Sequence, residues 1–381
     1  MNVIDLFSGV GGLSLGASRA GFNVTAAVEL DSYAIASHSL NFPFSRHFQQ
    51  DVSLIKGEAL LNALGLSKLD CLIGGPPCQG FSSIGKGLVT DDRNKLYEHF
   101  FRLINEIKPL CFLAENVPGI MSDKYSDIRN AAMRVVEKDY YILDPIKVIA
   151  SEYGAPTTRT RIFFIGFRKE LGKNALKKSD FNPPVDIPTI NVKDALFGLP
   201  TYIDSEWQLE SQGWHKVEKT KSGYFYDRLW GNIPSNIGDG ESLENLKNSL
   251  VSGFLGTRHS DEVSVRYGNL QFGKSDSISK SKRLDPNGFC PTLRAGTASD
   301  KGSYQAVRPI HPYEPRVITP REAARLQGFP DWFRFHATKW HSFRQIGNSV
   351  SPLVAEIMLL PLAKLCSKYQ KTTLENQGIA L

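Results

Sequence analysis

The chain has 381 residues, enough for two domains or for one large domain with an insertion. Its composition is that of an ordinary globular protein, with no segment that we expect to cross a membrane and no signal peptide before the first predicted strand. Five cysteines without C-x-x-C spacing argue against a disulfide framework and against a zinc site or other bound metal. These features predict a reduced, intracellular protein, and a formal net charge of +6 is compatible with a polyanionic partner.

The first predicted strand, residues 3–7, leads into a glycine-rich turn. Gly9, Gly11 and Gly12 lie between this strand and a helix predicted over residues 13–20. Glycine lets the backbone turn tightly and approach a ligand at the N-terminus of a helix. The turn indicates a nucleotide-like ligand, although a plain strand-to-helix connection would also use such glycines.

Two carboxylates follow the next predicted strands. Glu29 lies at the end of the strand predicted over residues 24–30, and Asp51 follows a short third element. An acidic residue at the end of the second strand can accept hydrogen bonds from ribose hydroxyls, and Asp51 can accept one from an adenine amino group. Either one alone is typical of a solvated loop, but with the glycine turn they describe a nucleoside site. No G-K-[ST] motif occurs in a P-loop context, which disfavours ATP.

A cysteine stands at the end of the next predicted strand, residues 69–73. The strand is followed by Gly74-Gly75-Pro76-Pro77-Cys78-Gln79-Gly80-Phe81-Ser82. Ligands and chemistry gather at the carboxyl ends of strands in open α/β sheets, and a thiol there can be a nucleophile once it ionises. A small apolar residue in a turn is an equally common role for an isolated Pro-Cys.

Three further polar groups are predicted at strand ends. Glu115 follows a strand predicted over residues 110–114, which places it beside Cys78. Arg159 and Arg161 precede an apolar strand and would point to the same face if that strand included them. Two arginines on one face suit a phosphate and a base carbonyl, or they can form a salt-bridged edge.

The alternating β/α pattern ends between residues 172 and 316. This region is rich in Gly, Ser, Asn, Pro, Lys and aromatic residues, a mixture that fits a nucleic-acid-binding face or an irregular surface domain. Regular structure returns with a helix that Thr319 caps and Pro320 begins, and residues 345–350 open the last helix.

In this order, the motifs resemble those of the DNA (cytosine-5) methyltransferases of the bacterial restriction–modification type. The resemblance rests on residues 5–12, 74–82, 115–117, 159–161, 316–333 and 345–350. The combination of Pro-Pro-Cys-Gln-Gly-Phe-Ser with a downstream Glu-Asn-Val is highly specific. One departure precedes the arginine pair, where Thr157 replaces the glutamine that is usual in the family.

The resemblance implies a fold and a division of the chain. We expect an α/β S-adenosylmethionine-dependent methyltransferase fold, Rossmann-like with a mostly parallel sheet, and an inserted irregular, mainly β target-recognition domain. Residues 1–169 would form the catalytic and cofactor-binding domain, and residues 170–344 the target-recognition domain and hinge. Residues 345–381 would complete the catalytic domain with a C-terminal helix.

The resemblance also implies a mechanism. Cys78 would add to carbon 6 of a flipped cytosine, Glu115 would act at ring N3, and Arg161 would hold the base's O2 oxygen. Arg159 would lie nearer the backbone phosphates. The expected DNA contacts are Gln79, Ser82, Thr292 and Leu293.

The implied methyl donor is S-adenosyl-L-methionine. Phe7 would stack on its adenine, Glu29 would bind the ribose hydroxyls, and Asp51 would accept from the adenine amino group. The other expected donor contacts are Gly9, Gly11, Gly12, Val52, Pro77, Leu96, Asn348 and Val350.

The expected partner is double-stranded DNA, with a cognate restriction endonuclease as a functional rather than physical partner. We expect a monomer in the bacterial cytoplasm, acting on nucleoid DNA and not associated with a membrane. Methylation by such an enzyme would protect host DNA.

Three rival functions have specific weaknesses. A dehydrogenase shares the glycine turn but does not explain Cys78, Glu115 and Arg161 at successive strand ends. The related tRNA cytosine-5 methyltransferases share the cysteine and the glutamate, but they generally have a smaller recognition region. A DNA-binding protein on an inactive scaffold would not require an intact Cys78 and Glu115.

Overall fold

The computed structural model describes residues 1–77, 95–295 and 308–376. Among these residues the main strands are β1 (Asn2–Leu6), β2 (Asn23–Glu29), β3 (Arg46–Gln49), β4 (Cys71–Gly74), β5 (Cys111–Asn116), β6 (Tyr140–Ile142), β7 (Ile146–Ile149) and β8 (Thr160–Arg168). They form one sheet in the order β3-β2-β1-β4-β5-β8-β6, with β7 also paired to β8. The pairs among β1 to β5 are parallel, whereas β8 is antiparallel to β5, β6 and β7.

The α-helices of the described residues cover both faces of this sheet and continue into the inserted region. They are α1 (Gly12–Arg19), α2 (Ser32–Asn41), α3 (Gly57–Leu64), α4 (Lys95–Ile107), α5 (Ser126–Arg134), α6 (Val192–Leu196), α7 (Tyr224–Trp230), α8 (Gly240–Lys247), α9 (Asp261–Gly268), α10 (Pro320–Leu326), α11 (Lys339–Asn348) and α12 (Pro352–Asn376). The predicted mostly parallel α/β sheet is therefore present.

Alternation along the strands divides the core into two layers. Val3 of β1 packs in a cluster with Leu15 of α1 and Leu359 of α12, whereas its neighbour Ile4 packs in a second cluster with Phe100 of α4. Successive side chains of a strand point to opposite faces, so a strand buried on both sides supplies both layers. This burial explains why the central strands are continuous apolar runs.

One predicted strand, residues 142–149, forms two. The structure has β6 and β7 with a break between them at residues 143–145. Pro145 lies in this break, where its missing N–H removes a donor that a continuous strand would need. Both pieces still pair with β8.

One helical stretch of the described residues, Lys339–Thr373, passes the length and composition test for a membrane-spanning helix. Its 18-residue window has a mean hydropathy of 1.5, so the expectation that no segment is long and apolar enough was wrong. Of that window, 67% is buried inside the protein. The α12 helix packs so closely on α1 that a Cβ added to Gly16 would lie 2.3 Å from the Cβ of Ala355. These apolar side chains therefore serve the protein core.

The inserted region differs from the expectation in its regular elements. It is largely irregular, but its described strands are only β9 (His215–Lys216) and β10 (Leu250–Val251), which pair with each other. Its other regular elements are helical, so the described part is not mainly β. Its apolar side chains, such as Phe225 and Phe254, join the same core cluster as Val3. The inserted region therefore buries its side chains in the shared core with only one small two-stranded sheet of its own among the described residues.

The predicted start of α10 is confirmed. Thr319 accepts a hydrogen bond from the N–H of Glu322 at 3.3 Å, and the Glu322 carboxylate accepts from the N–H of Thr319 at 2.7 Å. Pro320 occupies the first helical position, where its missing N–H costs nothing. The helix is therefore fixed at its N-terminus by its own sequence.

Candidate active site

The register of the parallel strands aligns the predicted site residues at one edge of the sheet. Four residues of neighbouring strands lie in one row: Val28, Leu6, Gly74 and Ala114. The residues that follow them are Glu29, Phe7, Gly75 and Glu115. Because the four strands are parallel, these residues emerge at the same end of the sheet.

The glycine turn is braced by Glu29. Its two carboxylate oxygens accept hydrogen bonds from the main-chain N–H groups of Gly9 and Asp31, both at 2.9 Å. Burial raises the pKa of Glu29, while these two hydrogen bonds act in the opposite direction. The carboxylate that ends β2 is thus held directly beside the turn that follows β1.

Two glycines of the turn are required by close packing. A Cβ on Gly11, whose φ is +103°, would lie 2.5 Å from the ring of Phe42. A Cβ on Gly12 would lie 2.3 Å from the carbonyl oxygen of Val350. The second contact brings one predicted donor residue, Val350, against the turn from the far end of the chain.

The end of α11 is fixed against α2. The side-chain amide of Gln345 donates to the carbonyl of Tyr33 and to the hydroxyl of Ser37, both at 2.9 Å. Asn348, the last residue of α11, is exposed, and Val350 is buried. The structure therefore brings Asn348 and Val350 to the side of the sheet edge where the glycine turn lies.

Asp51 and Val52 lie where a short 3-10 helix begins after β3, near the same edge of the sheet. Asp51 caps a short 3-10 helix and accepts from the N–H of Ser53 at 2.8 Å. Arg102 of α4 donates to the carbonyl of Val52 at 3.2 Å. This hydrogen bond connects the short helix to α4, which also carries the half-buried Leu96. Arg102 was not among the predicted site residues, because nothing in the local sequence relates it to Val52, fifty residues earlier.

A buried polar chain runs beneath the glycine turn, and the sequence analysis missed it. The Ser14 hydroxyl donates to Asp5 at 2.6 Å and lies 3.0 Å from Nε2 of His38, whose Nδ1 lies 2.9 Å from Nε2 of His47. Burial raises the pKa of Asp5 to about 7 and lowers the pKa of both histidines. The four residues come from four separate elements, so no local motif could reveal the chain.

Glu115 and Arg161 form a close ion pair. The Glu115 Oε1 atom lies 2.5 Å from Nε of Arg161, and their side chains are 12% and 14% exposed. A Cβ on Gly75 would lie 3.1 Å from the other carboxylate oxygen of Glu115. The glutamate is therefore held between the arginine and the backbone that leads out of β4. The half-buried Pro77 lies on this backbone, whereas Cys78, Gln79 and Ser82 lie outside the described residues.

The four described cysteines do not have the environment of a reactive thiol. Cys71, Cys111, Cys290 and Cys366 are all buried. Burial raises the pKa of the first three, and a hydrogen bond to Cys111 together with burial raises that of Cys366. A raised pKa suppresses the thiolate, so none of these four suits nucleophilic chemistry. No group of three or more metal-ligating side chains occurs within the described ranges.

Arg159 does not lie where the sequence analysis expected it. It is only 3% exposed, and its guanidinium donates to the carbonyl of Leu293 at 3.2 Å and to that of Asn348 at 3.4 Å. The resemblance implied a side chain near the backbone phosphates, but here the guanidinium binds main-chain carbonyls of two other segments. The segment around Leu293 covers this position, and Leu293 itself is buried, whereas Thr292 is exposed.

Comparison with known proteins identifies the family to which this chain belongs. The family described as C-5 cytosine-specific DNA methylase matches residues 1–363. The chain belongs to this family. The predicted family and enzyme class, DNA (cytosine-5) methyltransferase, are therefore confirmed.

Two curated relatives cover most of the chain. The Type II methyltransferase M.XorII of Xanthomonas oryzae is 40% identical over 358 residues, which are 92% of this chain and 82% of that protein. M.DdeI of Desulfomicrobium norvegicum is 30% identical and covers 94% of this chain and 87% of its own length.

A solved structure gives the same fold at high similarity. A putative DNA modification methyltransferase encoded within an E. coli prophage is 59% identical, with a TM-score of 0.88 over 96% of this chain and 99% of that chain. The Dnmt2 methyltransferase of S. pombe matches with a TM-score of 0.62 at 16% identity, over 96% of this chain and 98% of that chain, which speaks to the fold alone. The expected methyltransferase fold is confirmed.

Proposed function

We propose that this protein transfers a methyl group from S-adenosyl-L-methionine to carbon 5 of a cytosine in double-stranded DNA, with Cys78 as the nucleophile. The observation that carries the proposal is the Glu115–Arg161 pair, held at 2.5 Å beside the backbone that leads from β4 towards Cys78. A base that enters this edge of the sheet would meet an acid, a cation and a thiol from adjacent segments.

The glycine turn and its surroundings fit the methyl donor. A Cβ on Gly9 would meet no atom within 4 Å, so open space borders the turn, and the Glu29 carboxylate lies next to it. When bound, the donor supplies an electrophilic methyl group on a sulfonium centre. We assign the ribose hydroxyls to Glu29, the adenine amino group to Asp51 and the adenine face to Phe7. The remaining donor contacts are assigned to Gly9, Gly11, Gly12, Val52, Pro77, Leu96, Asn348 and Val350.

The nucleophile activates the ring. The Cys78 thiolate forms a bond to carbon 6 of the cytosine, and the electron pair of the carbon 5–carbon 6 double bond moves towards carbon 5. Glu115 shares a proton with ring N3 and offsets the charge that develops there. Arg161 binds the O2 oxygen and fixes the Glu115 carboxylate.

The ring then returns to aromaticity. After carbon 5 has gained the methyl group it loses its proton to a base, and the electron pair of that bond restores the double bond. The sulfur–carbon 6 bond breaks, and Cys78 leaves as a thiolate. A cytosine inside a duplex cannot reach a cysteine at a strand end, so the target base must leave the stack.

The inserted region would select the DNA sequence. We assign residues 1–169 to the catalytic and cofactor-binding domain, 170–344 to target recognition and the hinge, and 345–381 to the completing helix. Among the expected DNA contacts, Thr292 is exposed in the inserted region, which supports its assignment there. Gln79, Ser82 and Leu293 are also assigned to DNA binding.

The biological role that we propose is protection of host DNA in a restriction–modification system. The Type II methyltransferases M.XorII and M.DdeI support this role by similarity. The enzyme would act as a monomer in the cytoplasm, and a cognate restriction endonuclease would be a functional partner.

A methyl-incorporation assay with duplex DNA and tRNA side by side tests the substrate. We expect incorporation into DNA that bisulfite mapping locates at cytosines in one short sequence. Incorporation into tRNA alone would instead support the tRNA cytosine-5 methyltransferase activity.

A trapping experiment tests the mechanism. Fluorine cannot leave carbon 5 as a cation, so duplex DNA with 5-fluorocytosine at the mapped site should remain bonded to the enzyme. The adduct should require S-adenosyl-L-methionine, and mass spectrometry should locate it on Cys78. Cys78→Ser should form none, because a hydroxyl ionises far less readily than a thiol. An adduct on another cysteine would overturn the assignment of the nucleophile.

A further inference from the structure

Residues 290–295 form a segment that is fastened to the strand-entry loop before β8. The N–H of Cys290 donates to the carbonyl of Pro156 at 2.9 Å, and the N–H of Thr158 donates to the carbonyl of Cys290 at 3.0 Å. Thr157, which replaces the family's usual glutamine, is fully buried at this contact. The 290–295 segment is therefore held by main-chain hydrogen bonds on one side.

On its other side the 290–295 segment packs against α11. A Cβ on Gly347 would lie 2.7 Å from the main-chain nitrogen of Ala295. A small cavity lies between the segment and α11, lined by Leu293, Ala295 and Phe343 among other residues. Arg308, at the other end of residues 296–307, lies 4.1 Å from the ring centre of Phe343 on α11. The backbone on both sides of residues 296–307 thus rests on one helix.

Arg159 joins these two contacts. Its guanidinium donates to the carbonyl of Leu293, within the 290–295 segment, and to the carbonyl of Asn348, the last residue of α11. A planar guanidinium carries several N–H donors in a fixed fork, so one side chain can bind two carbonyls on different segments. Arg159 is 3% exposed, so little of this bridge is in contact with solvent.

The bridge ends at the donor site. Asn348 is two residues from Val350, whose carbonyl oxygen would lie 2.3 Å from a Cβ on Gly12 in the glycine turn. A displacement of the 290–295 segment would therefore be transmitted through Arg159 to Asn348 and on to the turn. Thr292 and Arg294 are the exposed residues of the segment, and Thr292 is one of the proposed DNA contacts.

We propose that Arg159 is a positioning residue that couples the 290–295 segment to the donor site, so that DNA and the methyl donor bind cooperatively. This inference rests on the proposed function, because it takes the glycine turn as the donor site and the inserted region as the DNA site. A direct phosphate contact by Arg159 would instead require the guanidinium, which is 3% exposed, to become accessible.

Hydrogen–deuterium exchange with S-adenosylhomocysteine as the probe tests the bridge without DNA or turnover. In the wild-type protein, the probe should slow exchange at residues 9–12 and also at residues 292–295. In Arg159→Lys, protection at residues 9–12 should persist and protection at residues 292–295 should be lost, since lysine carries its donors on a single nitrogen and lacks the planar fork that spans the two carbonyls. Equal protection of both segments in wild type and variant would overturn the proposal.

A second variant breaks the same connection at another point. Gly347→Ala inserts a methyl group between α11 and the 290–295 segment and should give the same loss of protection at residues 292–295. Arg228→Lys is the matched control, because Arg228 also holds a carbonyl, that of Tyr224, together with Glu356 on α12. This control should retain protection at both segments, and a loss there would refute a specific role for Arg159.

Cooperative binding gives an independent readout. Duplex DNA that contains the mapped site should tighten S-adenosylhomocysteine binding by about 5-fold or more in the wild-type protein, and by less than about 2-fold in Arg159→Lys. Coupling that is unchanged in the variant would contradict the proposal. Absence of probe protection at residues 9–12 in the wild-type protein would instead refute the proposed donor site, so the two failures are distinguishable.

Discussion

The sheet region and the inserted region both bury charged side chains, but these side chains bind different kinds of partner. In the sheet region the strands pair in ladders, and the buried carboxylates of Glu29 and Glu115 lie where strands end. In the inserted region and the residues that close it, the backbone is irregular, and Arg321 is buried to donate to three main-chain carbonyls, those of Ser252, Pro330 and Phe333.

The difference follows from where main-chain groups find partners. A ladder satisfies the main-chain groups of a strand, so the charged side chains at strand ends can bind a neighbouring turn, as Glu29 does, or each other, as Glu115 and Arg161 do. Irregular backbone lacks a ladder, and an arginine with several donors can satisfy its carbonyls instead. A buried arginine among loops therefore satisfies irregular backbone, and Arg159 shows that such an arginine can also connect two segments.

The largest expected effect lies in the sheet region. Cys78→Ala should lower the rate of methyl transfer by more than about 10⁴-fold, because the covalent intermediate cannot form without the nucleophile. Binding of S-adenosylhomocysteine, measured by calorimetry, should remain near the wild-type value, since the glycine turn is unchanged. Measurable turnover by the variant would show that another group is the nucleophile.

The inserted region should respond in stability rather than in chemistry. Arg325 and Asp331 are fully buried and form two hydrogen bonds of 2.8 and 2.7 Å. Asp331→Ala removes the carboxylate that balances the buried Arg325 charge and should lower the free energy of unfolding by about 3–5 kcal/mol. Chemical denaturation measures this change. A loss below about 1 kcal/mol would contradict a structural role for the pair.

The buried chain at Asp5 predicts a pH effect. The folded protein holds the Asp5 proton up to a pKa of about 7, above the ordinary value of 3.8, so it binds more protons than the unfolded chain between those values. Stability should therefore fall as the pH rises through this window, by up to about 4 kcal/mol from this group. The lowered pKa of His38 acts in the opposite direction below its ordinary value of 6.5.

Asp5→Asn isolates the carboxyl contribution. The difference in free energy of unfolding between variant and wild type should increase in favour of the variant from about pH 4 to pH 7. Urea denaturation at several pH values measures it. A difference that does not change with pH would show that Asp5 is ionised throughout.

The donor assignment predicts a moderate effect. Asp51→Ala should weaken S-adenosyl-L-methionine binding by about 10- to 100-fold, the equivalent of about 1.5–3 kcal/mol for a lost charge-assisted hydrogen bond. DNA affinity should change far less. Unchanged donor affinity by calorimetry would leave Asp51 as only the cap of its short helix.

The smallest effect is expected at an exposed pair in the sheet region. Arg168 and Glu170 lie 3.3 Å apart with side chains 23% and 45% exposed. Glu170→Gln should lower the free energy of unfolding by less than about 1 kcal/mol, because solvent screens the pair. A larger loss of unfolding free energy would contradict the expected difference between this exposed pair and the buried Arg325–Asp331 pair.

Much of the arrangement at the carboxyl edge of the sheet could be predicted from local sequence. The glycine turn, Glu29 and Glu115 follow strands that were predicted near their observed places, and parallel pairing brings strand ends together whatever the side chains elsewhere. The capping box of α10 was predictable for the same reason, since its hydrogen bonds join residues three apart.

The inserted region was the least predictable part. Its few regular elements are short, and the apolar residues lack a long periodic pattern that would distinguish helix from strand. Its core is continuous with that of the sheet region, so the packing of a residue such as Phe254 depends on helices far away in the chain.

The sequence by itself determined the family and the order of the strand-end residues, because these depend on short motifs and on the rules of parallel sheets. Tertiary structure decided which charged side chains bind distant main-chain carbonyls and which form ion pairs at the edge of the sheet. Arg159 and Arg161 are two residues apart, yet Arg161 pairs with Glu115, while Arg159 binds carbonyls 134 and 189 residues away. Burial under a distant segment sets the partners of a side chain, and no local pattern contains that segment.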